Sequence, residues 1–143
     1  MFCYAVIDTN VLVSALLSRY SDSATVQVMD RLLEGEIVPI FSEEILQEYN
    51  DVLKRKQFHF SPDIVDALLD YLRIHGQVIV PDSTGAVLPD RKDIPFYEVV
   101  MDKQDEGAYL VTGNLKHYPR ENFIVTPREM IEILDRAEQN GMV

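Results

Sequence analysis

The 143-residue chain has a single cysteine, Cys3, so no intrachain disulfide can form and nothing suggests a secreted, disulfide-stapled scaffold. It has no apolar run of membrane-spanning length, no low-complexity tract, and no internal repeat or linker. The apolar opening, residues 1–7, lacks a basic flank and is interrupted by Asp8, so it does not read as a signal peptide. A cytoplasmic protein with no membrane contact is expected. Basic residues are also scarce: 13 Lys and Arg stand against 24 Asp and Glu, a formal net charge of −11. Proteins that hold nucleic acid through its phosphates usually carry a basic field. Here that class requires the acids to gather around a cation and the few basic groups to line a local groove. The histidines, His59, His75 and His117, show no metal-ligand spacing and read first as surface or packing residues.

What is present is an ordinary globular composition, 47% hydrophobic and 26% charged, at a length that supports one domain over residues 1–143. Strands are expected at Cys3 to Ile7, Ile37 to Phe41, Gln77 to Val80, Ala108 to Thr112 and Phe123 to Val125. Pro39 is an awkward residue for the second of them. Helices are expected over Thr9 to Ser18, from the Ser21 to Ser23 caps to Glu34, and over Glu43 to Lys54 behind an N-cap at Ser42. Three more follow: from Ser61-Pro62-Asp63 to a stop at Gly76, from Asp93-Ile94-Pro95 to Lys103, and from Thr126-Pro127 to Gln139. Short strands alternating with helices predict an α/β fold, a three-layer sandwich around a parallel sheet of about five strands.

Sites in such sheets lie beyond the carboxyl ends of the strands. The first strand runs into Asp8-Thr9-Asn10 and the fourth into Thr112-Gly113-Asn114, while the intervening helices carry Glu48 and begin at Asp93. Four separated segments thus bring cation-binding groups toward one edge. Mg²⁺ takes oxygen ligands and keeps several waters, so a few carboxylates suffice to anchor it. Simpler roles compete at each position. Asp8 and Asp93 both stand where aspartates cap helices, and Asp90 is a rival three residues before Asp93. Glu48 lies about 40° from Val52 at about 100° per residue, on the border of its helix's apolar stripe, so it can lean over the sheet end. Asp102 and Asp105 read as surface charges. Thr112 and Asn114 suit a plain strand-ending turn. Arg19, Lys54, Arg55, Lys56, Arg91, Lys92 and Lys116 flank the acids; each alone reads as a solvated charge, and as a set they could edge a groove.

Val6-Ile7-Asp8-Thr9-Asn10-Val11-Leu12 with Ser14-Ala15-Leu16, Ser42 to Tyr49 with Val52-Leu53, Asp90 to Phe96, and Tyr109 to Asn114 with His117-Tyr118-Pro119 and Thr126-Pro127 stand in an order that resembles PIN domains over nearly the whole chain. The resemblance is to bacterial and archaeal PIN proteins that are the toxin components of toxin–antitoxin pairs. It implies a flavodoxin-like α/β/α sandwich and an endoribonuclease dependent on Mg²⁺ or Mn²⁺. It also implies a homodimer or higher homo-oligomer and an antitoxin protein as partner. Asp8, Glu48 and Asp93 match the family's three principal acids, as metal-binding and catalytic residues. Asn10, Thr112 and Asn114 would support them, and Arg19, Lys54, Arg55, Arg91, Lys92, Lys116 and His117 would contact RNA. Many relatives carry a fourth acid where this chain has Asn114, which bears on a second ion. The alternative is a non-catalytic PIN-fold module that binds RNA or protein. A phospho-receiver domain would need an acceptor aspartate ending the third strand, and a haloacid-dehalogenase-type phosphatase would need Asp at position 10; both fit poorly.

Overall fold

A computed structural model describes residues 2–140. The chain runs β1 (Cys3–Ile7), α1 (Thr9–Leu17), α2 (Ala24–Leu33), β2 (Ile37–Phe41), α3 (Glu43–Leu53), α4 (Pro62–His75) and β3 (Gln77–Val78). It continues through α5 (Ile94–Asp102), β4 (Tyr109–Val111), β5 (Ile124–Val125) and α6 (Pro127–Gln139). All strand pairs are parallel, and the sheet order is β3-β2-β1-β4-β5. This is the expected three-layer α/β/α architecture. Right-handed crossovers put the helices of the outward β1→β2 step on one face and the returning α5 on the other. There α5 crosses β1, β2 and β4. The strands are apolar on both faces, as a doubly covered sheet requires: Ala5, Val6 and Ile7 of β1 and Leu110 and Val111 of β4 are all buried.

Local chemistry explains most element boundaries. Ser23 and Ser42 accept hydrogen bonds from the N–H groups of Val26 and Ile45, each satisfying an orphan donor at its helix start. Thr126 and Glu129 form a reciprocal capping box at α6. Ser61 makes no such bond, and α4 starts instead on the preset φ of Pro62. Gly35 ends α2 with φ +85, a conformation that side chains disfavour. Gly76 stops α4 for a different reason: a Cβ there would sit 2.6 Å from the Pro39 carbonyl oxygen and 2.7 Å from the Phe41 ring, where the chain passes tightly under β2.

Two sequence expectations shift, the end of the third strand and the start of the fifth helix, while the second strand keeps its bounds. The third strand stops at Val78; Ile79 still donates its N–H to the Phe41 carbonyl at 2.8 Å, but Val80 is 92% exposed and pairs with nothing in the sheet. Pro39 does not break β2, because β3 reaches only Ile40 and Phe41 and leaves Pro39 with a strand partner on one side alone. The fifth helix begins at Ile94, preceded by a 3₁₀ turn over Arg91–Asp93. Among the described residues, no helix is long and apolar enough to cross a membrane.

Candidate metal centre and its groove

The strand order reverses between β1 and β4: from β1 the chain steps outward through β2 to β3, then returns to β4 and β5 on the other side. Crevices at such switch points, beyond the strands' carboxyl ends, are where open α/β sheets place their sites. Ile7 pairs with Val111, so the next residues, Asp8 and Thr112, leave the sheet side by side. The Asp8 N–H donates to the Val111 carbonyl at 2.9 Å.

Asp8 is 5% exposed and makes no side-chain capping bond to α1. Instead its Oδ2 accepts from the Thr112 hydroxyl at 2.8 Å and from the Tyr118 hydroxyl at 3.1 Å. Thr112, fully buried, accepts in turn from the Asn114 N–H at 3.0 Å, and Asn10 Oδ1 accepts from the Gly113 N–H at 3.2 Å. Asn10 and Thr112 thus lock the strand-four turn against the strand-one turn; of the three supporting residues only Thr112 touches Asp8, while Asn10 holds Gly113 and Asn114 meets Thr112 through its backbone N–H.

Glu48 reaches the same place from α3. Its Oε2 accepts from the Thr9 hydroxyl, and one residue on, Tyr49 donates its hydroxyl to the Ile7 carbonyl. These two bonds tie α3 across the end of β1. The Tyr49 and Phe96 rings pack with centroids 6.2 Å apart, so α3 also positions the start of α5. Asp93, 8% exposed, enters from that start; it caps nothing, and its Oδ2 lies 2.9 Å from Nδ1 of His117. Asp90 is exposed and accepts from the Lys92 N–H at 2.9 Å, so it is the aspartate that caps the turn. Asp102 and Asp105 are exposed.

The electrostatics of the three acids are coupled. Burial raises the Asp8 carboxyl above the ordinary aspartate value, against the lowering effect of the Thr112 and Tyr118 hydroxyls. Burial also raises Glu48, and the charges on Asp8 and Asp93 raise it further, while Thr9 and Lys92 pull it down. Asp93 is raised by burial and then by Asp8, with His117 opposing. Burial and the charges of Asp8 and Asp93 push the Tyr118 phenol far above its usual range, so it remains a neutral donor. The three carboxylates therefore resist sharing this space while all are charged. Among the described residues they do not close to ligand spacing; the set that does is Asp90, Asp93 and His117, whose ligand-type atoms lie within 4.8 Å of one another.

Glu48 and Asp93 open onto a groove of about 500 Å³ that Asn114 and His117 also line, with Arg55 and Lys92 among the walls; Asp8 lies behind its lining. Of the basic residues expected to contact RNA, Arg55, Lys92 and His117 are brought together here. Lys54 is turned away, its Nζ 2.6 Å from Asp66 on α4. Arg19 and Arg91 are exposed outside the groove, and Lys116 lines a smaller cavity with Arg120. Sequence reasoning missed the hydroxyls of Thr9, Tyr49 and Tyr118. Periodicity treats a buried tyrosine as core, yet its hydroxyl needs a partner, and the end of β1 supplied both acceptors, the Ile7 carbonyl for Tyr49 and Asp8 for Tyr118.

The chain matches the family model described as PIN domain over residues 4–116, a span that includes Asp8, Glu48, Asp93, Thr112 and Asn114. Searches of curated proteins and of solved structures gave no match. With the parallel five-stranded sheet, the acids at its switch point and a family match over most of its length, this chain belongs to the PIN-domain family.

Proposed function

We propose that this protein is a metal-dependent endoribonuclease that hydrolyses RNA phosphodiester bonds, with Asp8, Glu48 and Asp93 holding Mg²⁺ or Mn²⁺. PIN domains are generally nucleases. The observation that carries the proposal is the convergence of three buried or half-buried carboxylates from three separated segments: the charge on Asp8 raises both Glu48 and Asp93, and those two line one groove.

The donor set fits a hard divalent cation. It is all oxygen at the three acids, and it carries excess negative charge that the nearby Lys92 only partly offsets at Glu48. When bound, such a cation supplies Lewis acidity toward a phosphoryl oxygen and toward water. The chain's own residues do the rest. Thr112 and Tyr118 fix Asp8, Thr9 fixes Glu48, and His117 fixes Asp93. Arg55 and Lys92 would seat the RNA backbone along the groove; its lining is still net acidic, with Glu44, Glu48, Asp51, Asp90 and Asp93, so a bound cation would supply the remaining compensation of phosphate charge. By resemblance the protein would be the toxin of a toxin–antitoxin pair, dimeric and held by an antitoxin in the cytoplasm.

Asn114 lines the groove where many relatives have a fourth acid, and this favours a second reading, a module that binds RNA without cutting it. Incubating purified protein with structured and single-stranded RNAs in Mg²⁺, Mn²⁺ or EDTA separates the two. Cleavage that needs metal and disappears in Asp8→Asn is expected. Binding without cleavage under every metal would establish the module instead.

A further inference from the structure

Each of the two buried aspartates has one oxygen already committed. Asp93 Oδ2 is engaged by His117, and Asp8 Oδ2 accepts both hydroxyls, from Thr112 and from Tyr118. No side chain among the described residues donates to Asp8 Oδ1, although the backbone N–H groups of Asn10 and Thr9 also stabilise the charged carboxylate. The Thr112 hydroxyl comes from the adjacent strand end, as the sheet topology dictates. The Tyr118 hydroxyl is a separate feature: it lies 110 positions from Asp8 in the chain, beyond the 3₁₀ turn Leu115–His117, on a ring that is 6% exposed.

We propose that Tyr118 is a positioning residue that, together with Thr112, clamps Oδ2 of Asp8 and leaves this carboxylate a single oxygen, Oδ1, to offer a divalent cation. The proposal rests on the metal-nuclease reading above and specifies how one of its acids is presented. Two donors on one carboxylate oxygen fix the rotation of the carboxylate plane about Cβ–Cγ. A carboxylate held by one hydroxyl can swing and offer both oxygens; one held by two at the same oxygen cannot do so without breaking a hydrogen bond to a charged acceptor. Groups that orient ligands in this way typically change metal affinity or activity by about 10–100-fold when removed.

The test is Mn²⁺ binding by titration calorimetry in the absence of RNA, comparing the native chain with Tyr118→Phe. The phenylalanine ring fills the same buried space, and circular dichroism checks that the fold is kept. About tenfold weaker Mn²⁺ binding is expected, with a reduced kcat and an unchanged KM for RNA. Equal Mn²⁺ affinity in a native protein that cuts RNA would overturn the clamp and leave the nuclease reading standing. A native protein that neither binds Mn²⁺ nor cuts RNA would overturn both. A crystal structure of the native chain with Mn²⁺ gives an answer that needs no variant: Asp8 should touch the ion through Oδ1 alone, and coordination through Oδ2 or through both oxygens would refute the proposal.

Discussion

Asp8→Asn should make the metal-free protein more stable while removing its response to metal. The substitution keeps the shape of the side chain, and an amide carbonyl has two lone pairs, enough to accept from both Thr112 and Tyr118. What changes is charge. Burial holds the Asp8 carboxyl above its ordinary value of 3.8 despite those two donors. A carboxyl raised by folding binds its proton better in the native than in the unfolded chain. Its contribution favours the fold below the ordinary value and is lost as pH rises through the folded one, so near neutral pH the charged group is a net cost. Replacing a charged acceptor by a neutral one weakens each hydrogen bond by about 1 kcal/mol. Relief of burial, and of repulsion with Glu48 and Asp93, acts the other way, and the raised pKa shows that it is the larger effect. The expected net gain is about 1 kcal/mol, within the usual range for relieving a functional site. For a domain of this size that corresponds to a melting temperature higher by about 3–4 °C. Free Mn²⁺ at about ten times its Kd should stabilise the native chain by about 1.4 kcal/mol and the variant not at all, so metal inverts the ranking. Thermal melts in EDTA and in Mn²⁺, near neutral pH and at acid pH, read all of this. The advantage of Asp8→Asn should fade as pH falls through the raised Asp8 value and vanish below 3.8. A variant that melts below the native chain in EDTA, or two proteins that gain equally from Mn²⁺, would refute the reasoning.

Other perturbations discriminate between residues that look alike in the sequence. Arg55→Ala and Lys92→Ala should each weaken binding to single-stranded RNA and flatten the dependence of log K on log salt by about 0.7 per lost phosphate contact. Lys54→Ala should leave both unchanged, since Lys54 is committed to Asp66 at 2.6 Å; a loss as large as that of its neighbour Arg55 would remove the groove from the substrate path. Gly76→Ala should cost about 1–3 kcal/mol in urea unfolding, because the added methyl meets two carbonyl oxygens and the Phe41 ring at 2.6–2.7 Å. An unaffected midpoint would mean that α4 can shift away from β2 without penalty.

Periodicity, caps and turn residues made most of the architecture legible, because those signals are local. Ser42 beside its own helix, Gly35 after α2 and Thr126-Pro127 before α6 each act within a few residues, and the alternation of strands and helices then leaves a parallel sheet as the packing solution. The sequence also placed Asp8 and Asn114 at strand ends, and Glu48 on the edge of an apolar stripe. It could not choose between Asp90 and Asp93 by spacing, nor separate Lys54 from Arg55. Those choices depend on which neighbour each side chain meets, and two of the deciding neighbours come from other segments, His117 for Asp93 and Asp66 for Lys54, while Asp90 is spent locally on the N–H of Lys92. The pairing of Ile7 with Val111 decides that Asp8 and Thr112 touch, and the path after β4 decides that the Tyr118 hydroxyl reaches Asp8. Sequence by itself determined which elements form and which acids they carry, since backbone propensity and hydrophobic period are properties of short segments. Only the tertiary structure decided which oxygen of each acid is tied, since a hydrogen bond between residues 110 positions apart exists only after the sheet has closed.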